Sequence, residues 1–269
     1  MNARDYLIYC DMDGTLLSEW SLGPTVPKAN MDALKAFIQA GGAVSIATGR
    51  QHADTLSFFE GIRFSAPLVL NNGSYIYDQN EKRVIHREPL PSGCVKEAVE
   101  LVKQHDDLWV VAADEERIYQ LSESPEKDVR TADGFPRRML DESSFLSLDA
   151  GKLCYICAGA SRMSALWEAV NKMETRPLIA GFQSSPIYLE VVKKGVSKAT
   201  GIRKAAALAG LTGRKLVCIG DYLNDYDMLK MADIAACPAN AAREVLEICQ
   251  IVTRHHNEGA FADLLTKLP

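Results

Sequence analysis

The segment Tyr6–Leu17 reads YLIYCDMDGTLL and carries the strongest indication of the fold class in this chain. It begins with a short apolar run whose length and flanking residues predict a buried parallel strand. Asp11 and Asp13 follow that run directly. Because ligands of an open parallel sheet bind beyond the carboxyl ends of its strands, both carboxylates stand where a ligand binds. The alternative is an acidic turn helped by Gly14, but D-x-D-G-T arises by chance in only roughly a few per thousand chains of this length.

Strands and helices alternate after this stretch and again near the C-terminus. The predicted elements are a helix over 27–40, strands over 43–47, 67–70 and 75–77, a helix over 198–209, a strand over 215–220, a helix over 225–231, a strand over 234–236 and a helix over 239–249. Such alternation is typical of βαβ units with right-handed crossovers. We therefore expect an α/β fold, a Rossmann-like parallel sheet core with helices on both faces.

The middle of the chain follows a different pattern. Strands are predicted over 108–113, 117–121, 153–158 and 187–192, with helices over 95–102 and 163–173. Clustered strands with two helices indicate an α+β unit inserted into the α/β domain. We expect a core domain of residues 1–82 and 191–269 and an inserted domain of residues 83–190.

Composition excludes several classes of protein. The chain has 269 residues, 24% charged and 47% hydrophobic, with a formal net charge of -5. This balance argues against a nucleic-acid binder, which needs a basic face. No apolar run approaches the roughly 20 residues that span a bilayer, and the N-terminus lacks the apolar region of a signal peptide. We therefore expect a cytoplasmic protein that contacts neither nucleic acid nor membrane, a monomer or a weak dimer.

The cysteines predict no metal site. There are seven, most of them inside apolar runs, and we interpret them as reduced core residues. Cys154 and Cys157 form a C-x-x-C, but on a strand these two positions face opposite sides and cannot bind one metal ion.

Two further motifs place polar groups at a strand end and at a helix start. Thr48 and Gly49 follow the strand over 43–47, where they offer a hydroxyl and a close backbone N–H. Lys198 begins a helix, and a lysine there opposes the helix dipole, which hints at a bound anion. Taken alone, an exposed helix-start lysine is the simpler interpretation.

A last motif follows the strand over 215–220. Asp221, Asn224 and Asp225 stand directly after it. They fit a helix N-cap with an acidic first turn. Together with the first two aspartates, they also supply the oxygen ligands that a hard divalent cation needs.

In this order the four motifs resemble those of the haloacid dehalogenase superfamily of phosphotransferases. The short interval from Thr15 to Thr48 and the long one from Arg50 to Lys198 look like the type C2 cap of the Cof-like subfamily IIB. Asn72-Gly73, the G-V-S-K of residues 195–198 and Pro238–Ala241 are also similar to that branch. Cys10 and the pair Tyr222-Leu223 depart from the usual pattern without removing a functional group.

The resemblance implies a role for each motif residue. Asp11 is the nucleophile that forms an aspartyl-phosphate, Asp13 is the general acid and base, and Lys198 neutralises charge in the transition state. The implied phosphate-binding residues are Met12, Thr48, Gly49, Lys198 and Asn224. The implied Mg²⁺ ligands are Asp11, the Asp13 backbone carbonyl and Asp221. Asp225 is expected to orient Lys198 or a metal-bound water.

We therefore expect a Mg²⁺-dependent phosphatase that hydrolyses a small phosphomonoester, such as a sugar phosphate or similar metabolite. The alternatives are a sugar phosphomutase of the same subfamily and a non-catalytic regulator that binds phosphate or metal. The inserted domain is expected to supply specificity. Its candidate residues are Trp109, Arg117, Tyr119, Arg130, Arg137 and Arg138. The competing interpretation places Trp109 in the core and makes Arg137-Arg138 a solvated pair.

Overall fold

The computed structural model describes residues 2–19, 23–122, 128–130 and 136–269. The chain divides into two compact units, Met1–His86 with Ser197–Pro269 and Arg87–Val196. The division therefore falls after His86 and after Val196, where the sequence placed it after residues 82 and 190.

Strands and helices are numbered in chain order. The strands are β1 (Tyr6–Cys10), β2 (Ala43–Ile46), β3 (Leu68–Leu70), β4 (Tyr75–Asp78), β5 (Arg83–Arg87), β6 (Leu108–Ala113), β7 (Ile118–Leu121), β8 (Asp128–Arg130), β9 (Pro136–Leu140), β10 (Lys152–Cys157), β11 (Ile179–Ser185), β12 (Tyr188–Lys193), β13 (Lys215–Ile219), β14 (Ile234–Pro238) and β15 (Ile251–Thr253). The α-helices are α1 (Lys28–Gln39), α2 (His52–Ser57), α3 (Cys94–Val102), α4 (Glu142–Leu146), α5 (Met163–Asn171), α6 (Lys198–Leu208), α7 (Tyr226–Met231), α8 (Arg243–Leu246) and α9 (Ala260–Lys267).

The first unit is built on a parallel sheet with strand order β15-β14-β13-β1-β2. Side chains of a strand alternate between its two faces, and in β1 they enter two separate apolar clusters. Ile8 and Cys10 pack in the cluster that α1 and α9 cover, whereas Leu7 and Tyr9 pack in the cluster that α6 and α7 cover. The predicted Rossmann-like core with helices on both faces is therefore confirmed.

A smaller sheet, in the order β3-β4-β5, completes the first unit. β3 and β4 pair antiparallel, with Asn71–Gly73 as a 3₁₀ turn between them. The Asn-Gly pair therefore lies in a hairpin, as predicted. An isolated parallel bridge from Ala47 to Val69 places this hairpin beside the end of β2.

The second unit is an α+β structure around the sheet β11-β12-β10-β6-β7-β9-β8. Its strand pairs are antiparallel, apart from the parallel pair of β7 with β9. Residues of β6 alternate again: Leu108, Val110 and Ala112 join the apolar cluster with α3, α4 and α5. Trp109 points away from that cluster and is 44% exposed, so the interpretation of Trp109 as a core residue is wrong.

The largest difference from the predicted elements lies after β14. The helix predicted over 239–249 shrinks to α8, four residues long. The residues before α8 form hydrogen bonds with distant parts of the chain. The Ala242 N–H donates to the Asp221 carbonyl at 2.8 Å, and the Asn240 side-chain Nδ2 donates to the Gly14 carbonyl at 2.8 Å. These long-range bonds replace the helical ones that the local periodicity suggested.

Two further observations concern the cysteines and the helices. All seven cysteines are reduced thiols, and six of them are buried. Within the described ranges, no helix has both the length and the apolar character needed to cross a membrane.

Candidate active site

The turn after β1 brings the first motif to the carboxyl edge of the parallel sheet. The Asp11 N–H donates to the Ile219 carbonyl at 2.9 Å, which fixes the turn to the end of β13. The Met12 carbonyl accepts the N–H groups of Thr15, Leu16 and Leu17, and the Met12 side chain is fully buried. The turn is therefore closed by its own backbone.

Gly14 allows the first and fourth motifs to approach each other. It has a φ of +71°, and a Cβ added to it would lie 2.3 Å from Asp221 Oδ2. Asp221 Oδ1 also accepts the Thr15 hydroxyl at 3.1 Å. A residue with a side chain at position 14 would therefore displace the Asp221 carboxylate or the turn itself.

Lys198 lies between two carboxylates. Its ammonium Nζ is 2.5 Å from Asp11 Oδ1 and 2.6 Å from Asp225 Oδ1, and its side chain is completely buried. Burial alone would lower the pKa of Lys198, but the charges of Asp11 and Asp225 outweigh it and raise the pKa above its usual value. Lys198 is therefore a buried cation, and its interpretation as an exposed helix-start residue is wrong.

Two local features of the chain place Lys198 there. Ser197 caps α6, and its side chain and that of Thr200 form a capping box. Gly73 of the hairpin lies so close to this helix start that an added Cβ would be 2.2 Å from the Ser197 carbonyl oxygen. The first residue of α6 is therefore held firmly by its own cap and by the hairpin.

Three carboxylates meet at this edge of the sheet. One oxygen each of Asp11, Asp221 and Asp225 lies within 4.8 Å of the others. Burial, followed by the charge of Asp225, raises the pKa of Asp11 to about 7 although Lys198 lowers it. Burial, followed by the charge of Asp11, also raises the pKa of Asp221 well above its usual range. Such closely spaced, buried oxygen ligands fit a hard divalent cation.

Asp225 differs from the other two carboxylates in its hydrogen bonds. Its Oδ2 accepts the backbone N–H groups of Asp221 at 3.0 Å and Tyr222 at 3.3 Å, and its Oδ1 accepts from Lys198. Both oxygens are thus engaged by donors of the chain, so Asp11 and Asp221 are the better placed metal ligands.

The Asp13 side chain turns to an arginine. Arg50 Nε lies 2.7 Å from Asp13 Oδ2 and Arg50 Nη2 lies 2.5 Å from Asp13 Oδ1, a bidentate pair. Arg50 Nη1 donates to Asp54 at 2.6 Å, four residues further along the chain. The Arg50 side chain is 3% exposed, and the two acidic partners hold its pKa above the usual value despite burial.

Arg50 directly follows Thr48 and Gly49 in the second motif, and the motifs alone assigned it no role. The available signal was the i,i+4 spacing of Arg50 and Asp54 at the start of α2, which favours an ion pair on a helix. That spacing does not reveal Asp13 as the other partner, since Asp13 is distant in the chain.

The second motif and the hairpin meet the fourth motif. Thr48 is buried, its Oγ1 accepts the Arg50 N–H at 3.2 Å, and its carbonyl accepts the Asn72 N–H at 2.9 Å. Asn72 has a left-handed φ of +56°. Its side-chain Oδ1 accepts Asn224 Nδ2 at 3.4 Å. Asn72, for which the motifs implied no function, therefore links Thr48 and Asn224, two of the predicted phosphate-binding residues. Gly49, a third, follows Thr48 directly in the chain.

The specificity candidates of the second unit fall into different environments. Arg117 is exposed, and the Tyr119 hydroxyl donates to Asp114 at 2.7 Å. Arg137 is 7% exposed, and its Nη1 donates to Gln120 at 2.8 Å, so the interpretation of a solvated pair is wrong for Arg137. The Arg130 side chain lies outside the described part of the chain.

Comparison with known proteins identifies the family of this chain. The family model for haloacid dehalogenase-like hydrolases matches residues 8–265. Pyridoxal phosphate phosphatase YbhA of Escherichia coli is 22% identical over 272 residues, with 96% of this chain and 97% of the relative covered. The Bacillus subtilis 5-amino-6-(5-phospho-D-ribitylamino)uracil phosphatase YitU is 24% identical, with 98% of each covered.

The solved structures agree in fold. A HAD/Cof-like hydrolase from Plasmodium vivax superposes with a TM-score of 0.82 at 24% identity, with 98% of this chain and 95% of that chain covered. The family model spans nearly the whole sequence and includes all four motifs. This chain therefore belongs to the family of haloacid dehalogenase-like hydrolases, the resemblance predicted from its motifs.

Proposed function

We propose that this protein is a Mg²⁺-dependent phosphatase that hydrolyses a small phosphomonoester through an aspartyl-phosphate on Asp11. The observation that carries the proposal is the buried Lys198 ammonium between Asp11 and Asp225, beside the carboxylate of Asp221. A phosphomonoester is a dianion, and its transfer needs positive charge and accurate positioning more than any other chemistry. The site offers both to a phosphoryl group at Asp11.

The donor set fits the metal that the family implies. Asp11, the Asp13 backbone carbonyl and Asp221 would hold Mg²⁺, which takes oxygen ligands in an octahedral shell. When bound, the ion supplies positive charge between the carboxylates and the phosphate dianion. Asp225 stays with Lys198 and the backbone N–H groups that it already binds.

In the first step, an Asp11 oxygen attacks phosphorus in line with the leaving alkoxide, and the P–O bond of the ester breaks. Lys198, held by Asp225, neutralises charge that develops on the phosphoryl oxygens. Thr48, Gly49 and Asn224, with the backbone at Met12, would bind those oxygens.

Asp13 would donate a proton to the leaving oxygen and then take one from the water that attacks the phosphoenzyme. The bidentate Arg50 pair favours ionised Asp13, which is the form that acts as a base. To act as an acid, Asp13 must take up a proton and give up part of this pairing. We propose that Arg50 positions Asp13 between these two steps.

The names of the relatives support a small substrate. The names of the two curated relatives specify phosphate esters of small metabolites, pyridoxal phosphate and a ribitylaminouracil phosphate. We propose a substrate of that class for this chain, a sugar phosphate or similar metabolite. We also propose that the protein acts in the cytoplasm as a monomer or weak dimer. We further propose that the second unit, Arg87–Val196, acts as a cap domain for the first unit, close to the expected bounds of 83–190.

The test is release of inorganic phosphate by the purified protein. A panel of phosphomonoesters is offered with Mg²⁺, and p-nitrophenyl phosphate is included as an activated ester. We expect turnover that stops in excess chelator and returns with Mg²⁺. Asp11→Asn is expected to abolish it for every ester, whereas Asp32→Asn, an exposed aspartate on α1, is expected to leave it unchanged.

Three results would contradict the proposal. The first is the absence of phosphate release from any ester, which would leave a binding protein. The second is activity that survives Asp11→Asn or excess chelator. The third is conversion of a hexose 1-phosphate to its 6-phosphate without phosphate release in the presence of a bisphosphate activator, which would make the protein a mutase.

A further inference from the structure

Three side chains that bind metals in other proteins meet at a place that shares no residue with the group around Asp11. Glu19 follows the turn of the first motif, and His255 and His256 lie between β15 and α9. One carboxylate oxygen of Glu19 and one ring nitrogen of each histidine lie within 4.8 Å of one another. Glu19 lies more than 230 positions before the two histidines in the chain, so only the fold brings it to them.

The hydrogen bond of His256 fixes the state of its ring. Nδ1 lies 2.6 Å from the Leu17 carbonyl oxygen, and the residue is 7% exposed. Because a carbonyl oxygen only accepts, Nδ1 carries the hydrogen, and Nε2 of the neutral ring carries the lone pair. Histidines that bind metals are oriented in this way, with the other ring nitrogen donating to a backbone carbonyl.

His255 is less constrained. Its ring lies 4.5 Å from the His256 ring, centroid to centroid, with an angle of 34° between the planes. Its Nδ1 accepts the Asn257 N–H at 3.3 Å, which is at the long end for such a bond. Breaking this weak contact so that His255 can bind a metal ion therefore costs little free energy.

We propose that Glu19, His255 and His256 form a second metal site, for Zn²⁺ or a similar transition-metal ion. Two imidazole nitrogens and one carboxylate oxygen are a zinc ligand set, with water in the fourth position. Tetrahedral ligands at about 2.0–2.2 Å from zinc are roughly 3.3–3.5 Å apart. From 4.8 Å or less, the three atoms reach that spacing by small side-chain rotations.

The chemistry of the two sites separates their metals. Mg²⁺ prefers oxygen ligands and binds imidazole poorly, so it belongs to the Asp11 group. Imidazole favours zinc, nickel, cobalt and copper over magnesium. The proposed site therefore remains selective in the presence of millimolar Mg²⁺.

The bound ion would join the first-motif segment to the C-terminal segment. Hydrogen bonds already connect the two: the Glu19 N–H donates to Asn257 Oδ1 at 3.0 Å, and the His256 N–H donates to Asn240 Oδ1 at 3.0 Å. Asn240 in turn donates to the Gly14 carbonyl beside the acidic group. A metal at Glu19 would strengthen this connection, so we expect it to stabilise the fold without taking part in phosphoryl transfer.

Zinc titration of tag-free, metal-stripped protein tests the proposal. The buffer contains saturating Mg²⁺, binding is followed by calorimetry, and Co²⁺ absorption reports the ligand set. We expect one equivalent of Zn²⁺ to bind tightly and to raise the thermal midpoint, since an ion at a hundred times its Kd shifts the unfolding equilibrium by about 100-fold. Glu19→Gln and His255→Ala are expected to weaken zinc binding by at least tenfold, since even the loss of a group that only orients a ligand costs about 10–100-fold.

His105→Ala is the matched control, because it removes a histidine of the second unit that has no part in the site. Glu19 and His255 are more exposed than His256, so both test variants are expected to fold. Unchanged zinc affinity in both variants, an equal loss in His105→Ala, or no bound equivalent in the parent protein would each overturn the proposal. None of these outcomes bears on phosphatase activity, so the two proposals stand or fall separately.

Discussion

Replacing Lys198 by methionine removes the positive charge from the centre of the proposed active site and leaves a side chain of similar length. The ammonium has two carboxylate partners, at 2.5 and 2.6 Å, and is inaccessible to solvent. Removing one partner of a buried ion pair costs about 3–5 kcal/mol. For a chain of this size, each kcal/mol shifts the thermal midpoint by roughly 2–4 °C, so we expect a drop of roughly 6–20 °C.

The loss depends on pH with a definite sign. Burial and the charge of Asp225 raise the pKa of Asp11 to about 7 in the fold. Its contribution to stability therefore falls as the pH rises from about 3.9, the usual value for an aspartate, to about 7. Lys198 lowers this pKa, and without it the folded-state pKa rises further. Above pH 7 the variant therefore continues to lose up to about 1.4 kcal/mol per pH unit, while the contribution of Asp11 to the parent protein levels off.

The assay is thermal unfolding of parent and variant from pH 5 to 9. The buffer contains a chelator, because a cation bound to Asp11 would itself lower that pKa. Lys204→Met, an exposed lysine on the same helix, is the control and is expected to change stability by less than about 0.5 kcal/mol. A stability difference between Lys198→Met and the parent that stays constant, or shrinks as the pH rises, would show that Lys198 does not lower the pKa of Asp11.

Three further predictions concern the other motif residues. Arg50→Lys keeps the positive charge but loses the bidentate geometry that holds Asp13, so kcat is expected to fall by about tenfold or more while the affinity for inorganic phosphate stays unchanged. A kcat equal to that of the parent would show that the pairing is incidental. Gly14→Ala is expected to lower Mg²⁺ affinity, because its Cβ would lie 2.3 Å from Asp221. Gly23→Ala is the control, since Gly23 has a similar φ of +77° but no described atom within 4 Å of an added Cβ. Equal metal affinity in the two variants would contradict this prediction. Asp13→Ala is expected to slow the hydrolysis of alkyl phosphates by about 10²–10⁴-fold. With p-nitrophenyl phosphate it is expected to give a nitrophenolate burst near one equivalent, and mass spectrometry should show a phosphorylated chain. Equal slowing of both esters without a burst would show that Asp13 takes no part in acid–base catalysis.

Several site contacts follow from rules that act along the chain. The apolar run of β1 ends at Asp11, and β13 ends shortly before Asp221. In a parallel sheet the carboxyl ends of neighbouring strands share one edge, so these two aspartates had to meet once the strands were recognised. A cation at a helix start is unfavourable without an anion beside it, so the sequence hinted at an anion near Lys198, but its role came from the family resemblance.

Other contacts have no such local signal. The Asp13 side chain pairs with Arg50 and does not join the acidic group of Asp11, and this choice depends on how the two side chains are oriented in the fold. The predicted helix over 239–249 shows the same limit in reverse. Its periodicity is local, whereas the bonds of Ala242 with Asp221 and of Asn240 with Gly14 come from distant parts of the chain.

The amino-acid sequence alone predicts the parallel sheet, the α+β insertion and the order of the four motifs, because hydrophobic period, strand ends and turn residues are properties of short segments. Which side chains contact each other across those segments becomes known only once the chain is folded. Lys198 forms ion pairs with both Asp11 and Asp225, and the His256 ring forms a hydrogen bond with the Leu17 carbonyl near Glu19. Such pairings depend on burial and on rotamers in a packed interior, where partners far apart in the chain compete for the same few polar atoms.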